Sequence, residues 1–258
     1  MGASNGGVAF KLNIASYDLT QVVKDLFGND FEQSDAHCDS RKNDCVYIGK
    51  TKEFLIIVNT DFATKFFEST DTKIIQPFLE YFSNPDFIFA FEEYDSGDTY
   101  SYSLVYGGNV KRQFRSLSSN ITIDYGTLEP LELKWKNSET DKENGDGEVE
   151  RIFIDSARDF SCTKDQLPQV ILQDLMYEKL GFASWNMDEF MIVQGHFKKR
   201  FLTTTEKKIK LLWRNEIQTL GGSFGNQTIN PTSFPNFPAT SPTKNVATTK
   251  QNKSYDQL

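Results

Sequence analysis

With 258 residues the chain is long enough for one generous domain with a sizeable core, and no run in it approaches the roughly 18 to 20 apolar residues of a membrane-crossing helix. Its 28 Lys and Arg against 36 Asp and Glu leave a net charge of -8, which opposes nucleic acid and anionic lipid as partners. The first residues lack the charged start, apolar run and cleavage site of a secretory signal, so a soluble, cytoplasmic protein is expected.

In chain order, Val8 to Ile14 reads as a strand. Tyr17 to Phe27 reads as a helix with Leu19, Val22, Val23 and Leu26 on one side and Gly28 as its stop. Residues 29 to 44 are polar and read as loop. Cys45 to Ile48 and Glu53 to Asn59 predict a hairpin around Gly49-Lys50, and two short helices follow at Asp61 to Glu68 and Thr72 to Phe82. A meander comes next: Asp86 to Tyr94, Thr99 to Tyr106 and Asn109 to Leu117, the last two joined by the two-residue turn Gly107-Gly108. Ile121 to Asp124 and Leu131 to Trp135 extend the sheet in this reading, and an acidic loop runs from Asn137 to Glu150. Val149 to Ile154 is a strand, Pro168 opens a helix that Gly181 closes, and Glu189 to Phe201 is a last strand. The fold class expected is α+β, an antiparallel meander sheet with helices packed on it, over residues 1 to 201.

Beyond it, Thr203 and Glu206 have capping-box spacing, and Ile209, Leu212, Trp213, Ile217 and Leu220 recur at helical spacing, predicting an amphipathic helix over 202 to 221. Whether that helix docks on its own domain or on a partner is open. Residues 222 to 258 hold half of the eight prolines, with Asn, Thr and Ser between them, and are expected to be disordered. Their three lysines against one aspartate make the tail basic, so the acidic excess lies upstream.

The Met1-Gly2-Ala3 start, the hairpin FIFAFEEYDSGDTYSYSLVYGGNVKRQFRSLS, the segment DYGTLEPLELKW, and later MYEKLGF and FMIVQGHFKKR together resemble an uncharacterised bacterial domain family of unknown function. The resemblance spans about residues 1 to 201. It implies a fold and carries over no catalytic residue. The chain departs from the family pattern at Glu129, in its long acidic loop, and in the added helix and tail.

Motifs for chemistry fail at specific positions. Gly49-Lys50-Thr51 imitates the end of a phosphate-binding loop, but Asp44 stands where the first glycine is required and a strand follows instead of a helix. His37, Cys38 and Cys45 fall short of the four donors of a structural zinc site, and three cysteines cannot form a paired disulfide framework. Cys162 with His196 is a formal nucleophile pair that nothing in the sequence orients. In the acidic loop, placing Gly147 at the sixth position of a calcium loop puts Lys142 first and Phe153 twelfth, where acids are needed. No catalytic residue, metal or cofactor is therefore assigned.

The meander offers one candidate surface. If Gly107-Gly108 is the turn, Tyr106 pairs with Asn109, Tyr102 with Gln113 and Tyr100 with Arg115, while across the other hairpin Glu93 pairs with Tyr100 and Phe91 with Tyr102. This register puts Glu93, Tyr100, Tyr102 and Arg115 on one face, an aromatic floor beside an arginine suited to a ligand or partner. The function expected is a non-catalytic binding or interaction module, inhibitor- or immunity-like or ligand-sensing, with an unknown protein or small-molecule partner. The alternative is a metal-assisted hydrolase using Glu93, Asp95 and Asp98. Deleting residues 223 to 258 is expected to leave the melting temperature of the remainder nearly unchanged; a large drop in a thermal scan would show that the tail packs on it.

Overall fold

The computed structural model describes residues 4–12, 17–36, 39, 41–143 and 149–200. The predicted amphipathic helix and tail form a separate unit, Leu202–Leu258, outside the described residues. In chain order the elements are β1 (Ser4–Lys11), α1 (Leu19–Phe27), β2 (Phe31–Ser34), β3 (Cys45–Lys50), β4 (Phe54–Val58), α2 (Thr60–Thr64) and α3 (Gln76–Tyr81). The meander β5 (Phe87–Tyr94), β6 (Thr99–Tyr106), β7 (Asn109–Leu117) and β8 (Asn120–Gly126) follows, then α4 (Pro130–Lys136). The chain continues with β9 (Glu139–Glu143), β10 (Val149–Asp155), β11 (Phe160–Thr163), α5 (Leu167–Leu180) and β12 (Val193–Lys199). Nine strands make one antiparallel sheet in the order β2-β12-β3-β4-β1-β5-β6-β7-β8, and β11-β10-β9 make a small second sheet.

Alternation along each strand builds two cores. Val8, Phe10, Val46, Ile48, Leu55, Ile57, Ile88 and Ala90 face α1, α2 and α3; Ala9, Tyr47, Ile56, Phe89 and Phe91 face α5. Because helices cover both sides, the interior strands are buried on both faces, which is why FLIIV of β4 is apolar throughout. Asp18 caps α1, accepting from the Gln21 amide at 2.8 Å, and Asn59 caps α2, accepting from the Phe62 amide at 2.9 Å. Gly181 closes α5 at φ 85°, a left-handed position that glycine adopts without strain.

The α+β class and the meander stand as expected, while several local expectations are corrected. The polar stretch 29–44 contains the edge strand β2, whose Phe31 is buried. The β3–β4 turn lies at residues 51–53, so Gly49 and Lys50 are inside β3. Leu131 to Trp135 is the helix α4: Pro130 presets its first turn, the Glu129 amide donates to Glu132 Oε2 at 2.8 Å, and Leu131 and Trp135 share a side while Leu133 is exposed. The acidic loop opens with β9, which pairs with β10; residues 144–148 lie outside the described ones.

Helix α4 is fastened to the meander by buried charge. Arg112 and Glu132 are 1% and 4% exposed; Arg112 Nε donates to both Glu132 oxygens at 2.9 Å and Nη2 donates to Oε1 at 2.6 Å. The Tyr102 hydroxyl donates to the same Oε1 at 2.6 Å, and Asp124 takes Arg112 Nη1 at 2.5 Å. Hydrogen bonds to Glu132 and Asp124 raise the guanidinium pKa despite its burial. Glu132→Ala removes the buried partner of this cation and leaves it the half-exposed Asp124; it is expected to cost about 3 kcal/mol in urea unfolding, whereas Arg112→Met with Glu132→Leu should lose less than the two single changes summed.

Candidate functional site

The four residues singled out in the meander divide between the two faces of the sheet. Glu93 opposite Tyr100 and Phe91 opposite Tyr102 stand as expected. Between β6 and β7 the register shifts at Leu104/Val105, with Lys111 as the extra residue. Tyr102 then faces Phe114, Tyr100 faces Ser116, and Arg115 faces Ser101. The pairing of Tyr100 with Arg115 is therefore corrected: Glu93, Tyr100 and Tyr102 lie beneath α5, and Arg115 lies on the α2 side.

Glu93, Tyr100 and Tyr102 are buried, and the Arg115 side chain is 22% exposed. Glu93 is 0% exposed; its Oε1 accepts from Gln173 Nε2 at 2.8 Å and Gln169 Nε2 at 3.3 Å, and its Oε2 accepts from the Ser184 hydroxyl. Gln169 also donates to Asp95 at 3.0 Å, so these two carboxylates meet at one amide, while Asp98 sits exposed in a left-handed turn at φ 42°. Burial, with the charges of Asp95, Asp98 and Glu93 behind it, pushes the Tyr100 hydroxyl up to about 12. Burial, with Glu132 beside it, raises the Tyr102 hydroxyl well above the ordinary phenol range.

On the other face, Glu92 is as deeply buried. It accepts from the Thr64 hydroxyl of α2 at 2.7 Å and the Ser101 hydroxyl at 3.1 Å, and pairs with Arg115 Nη2 at 3.2 Å. The Arg115 guanidinium lies 5.8 Å from the Phe67 ring centre. Glu92, Arg112 and Glu132 were not singled out in the sequence; the visible signals were acids at strand positions continuing FIFAF and the Glu129-Pro130-Leu131-Glu132 helix start.

The remaining motifs disperse. Gly49 lies under Met191, where a β-carbon would collide with the thioether, and the Lys50 ammonium donates to the Tyr17 carbonyl. His196 stacks on Tyr47 at 4.7 Å in the large sheet, whereas Cys162 is buried in the small one with its thiol pushed up by desolvation. Cys45 is buried, and His37 and Cys38 lie outside the described residues. Among the described residues no three His, Cys, Asp or Glu side chains gather as a metal ion requires. No helix among them is long and apolar enough to cross a membrane.

Two features do face solvent. A cleft of about 550 Å³ is lined by Arg41, Lys42, Asn43, Asp44, Asp61 and Lys199. Both signs of charge line it, and Arg41 is held by Asp39 through two 2.7 Å hydrogen bonds that lower the Asp39 carboxyl to about 2. The second feature is aromatic, at the shoulder between α5 and β12, where Trp185 is 63% and Ile192 64% exposed. No family model matches the chain, and neither a curated protein nor a solved structure matches it.

Arg115→Ala is expected to cost about 2 kcal/mol or more, above what an exposed pair contributes, because it removes the one cation that, among the described residues, pairs with the buried Glu92 carboxylate. Adding Glu92→Gln to that variant should recover part of the loss in urea unfolding; no recovery would mean that Arg115 acts through packing on Phe67 alone.

Proposed function

We propose that the chain is a non-catalytic interaction module that recognises its partner with its outer surface. The observation supporting this is the state of Glu93, the residue the hydrolase alternative needs most. Both of its oxygens already accept hydrogen bonds from protein donors in a fully buried position, an arrangement that holds α5 and Ser184 and presents no carboxylate to a substrate. Catalytic carboxylates face a cavity that admits the reacting group, and the cleft near Arg41 is lined by different residues. An acidic surface with an exposed aromatic shoulder suits a protein partner, of the kind that inhibitors and immunity proteins meet.

The hydrolase alternative draws on one observation, the meeting of Glu93 and Asp95 at Gln169. Calorimetric titration of the full chain with Mg²⁺ and with Mn²⁺ separates the two readings. Under the interaction reading, neither ion gives a saturable one-to-one isotherm, and Glu93→Gln loses about 1 to 3 kcal/mol of stability from a mismatched buried hydrogen bond. Saturable binding that Asp95→Asn abolishes would overturn it in favour of metal-assisted hydrolysis.

A further inference from the structure

Among the described residues, twelve large apolar side chains are exposed, and four of them, Trp185, Phe190, Ile192 and Val193, fall within nine consecutive positions. Tyr177 at the end of α5 adds to the group, its ring 6.3 Å from that of Trp185. Scattered single exposures need no explanation, whereas a concentration of this kind marks a surface that meets something.

The exposure is built in by the anchors beneath it. Phe190 stacks at 5.6 Å on Phe182, which is fully buried in the α5 core. Met187 is buried between Trp185 and Phe190 in sequence, Met191 seats against Gly49, and the Ile192 amide donates to the Lys50 carbonyl at 2.7 Å. The Asn186 amide donates to the Tyr177 hydroxyl at 3.2 Å, and Asn186 Oδ1 accepts from the Ala183 amide at 2.9 Å. Ser184, Met187, Met191 and Gly195, every third or fourth residue, are turned inward, so the backbone that carries the exposed apolar side chains between them is already fixed before binding.

Charge selects the partner. Asp188 and Glu189 are exposed beside Phe190 in a chain of net charge -8, while Glu178, exposed beside Tyr177, is already paired with Lys179 at 2.8 Å, so the first two supply the acidic rim. An apolar centre with an acidic rim repels phosphate backbones and attracts lysine and arginine.

We infer that the shoulder formed by Tyr177, Trp185, Phe190 and Ile192 docks a protein partner that presents an apolar face flanked by basic residues. This rests on the interaction-module reading and supplies its surface and the chemistry of its partner. Trp185 is the central anchor, since a large rigid ring contributes contact area at small entropic cost.

The test uses the full chain and two labelled synthetic helical peptides, one of leucine and lysine with an amphipathic spacing and one with glutamate in place of lysine, read by fluorescence anisotropy. The leucine–lysine peptide is expected to bind about tenfold or more tightly than its acidic counterpart, with affinity falling as salt rises. Trp185→Ser with Ile192→Ser keeps the net charge and should weaken binding about tenfold while leaving the circular dichroism and melting temperature unchanged, because both side chains are exposed. Asp188→Asn with Glu189→Gln should reduce the salt dependence. Equal affinity for the two peptides, or undiminished binding by the serine variant, overturns the inference. So does a blue shift of tryptophan emission with phosphatidylcholine vesicles that the serine variant abolishes, in the absence of peptide binding, which would assign the shoulder to a lipid surface. A blank metal titration with no peptide binding would leave the interaction reading standing and the surface wrongly placed; saturable metal binding removed by Asp95→Asn would remove the reading itself.

Discussion

Two carboxylates on consecutive residues of an interior strand hold the sheet between its helical layers. Strand alternation sends Glu92 to the α2 side and Glu93 to the α5 side, and each is almost completely buried. A buried carboxylate is tolerated only when donors replace the water it has lost. Thr64, Ser101 and Arg115 do this for Glu92; Gln169, Gln173 and Ser184 do it for Glu93. Apolar contact alone is non-directional and would let a helix rotate or slide over the sheet. Hydrogen bonds to a fixed oxygen have preferred distances and angles, so these acids set where α2 and α5 sit as well as holding them there.

The bulge at Lys111 makes the arrangement possible. In an unbroken register Arg112 would lie on the α2 side and Arg115 beneath α5. One inserted residue exchanges them, so Arg112 meets Glu132 under α4 and Arg115 meets Glu92 over Phe67. The neighbouring strand is adapted to that insertion. Gly126 sits against the Lys111 carbonyl at φ 90°, where any β-carbon would overlap the oxygen, and the Thr127 amide donates to that same carbonyl at 3.2 Å. A small irregularity in one hairpin thus decides which layer each arginine serves.

The meander and the helices α1 and α5 were legible in the sequence because local rules specify them: period-two alternation around Gly107-Gly108, the stripe Leu19, Val22, Val23 and Leu26 closed by Gly28, and Pro168 and Gly181 at the two ends of a helix. The bulge was not legible. It depends on side chains of β8 and α4 that are distant in sequence from the turn, and a two-residue turn alone implies an unbroken ladder. Strand β2 was missed because FEQS is short and carries one buried ring, its pairing supplied wholly by β12. Helix α4 was missed because LELKW fits a strand by alternation; the proline and capping acids before it outweigh that pattern. Of the candidate site, the residue types were visible and their faces were not, since a one-residue shift moves every later side chain to the other side.

The same distinction explains why the shoulder went unrecognised. In WNMDEFMIV the apolar residues from Glu189 onward read as part of the last strand, whereas Met187–Phe190 is a short 3-10 turn and β12 begins only at Val193. Burial separates them into two sets: Met187 and the backbone around Ile192 secure the segment, while Trp185, Phe190 and Ile192 are left outside by those same attachments. No local pattern distinguishes the sets, because the inward positions are chosen by Gly49 and Phe182 on other elements. The carboxylates and the aromatic shoulder are therefore complementary inversions of ordinary preference, acids placed inside where they orient helices and rings left exposed among the described residues. The first inversion is compensated within the chain, donor by donor. The second has no compensation among the described residues, and a partner with an apolar, basic-flanked face would supply it.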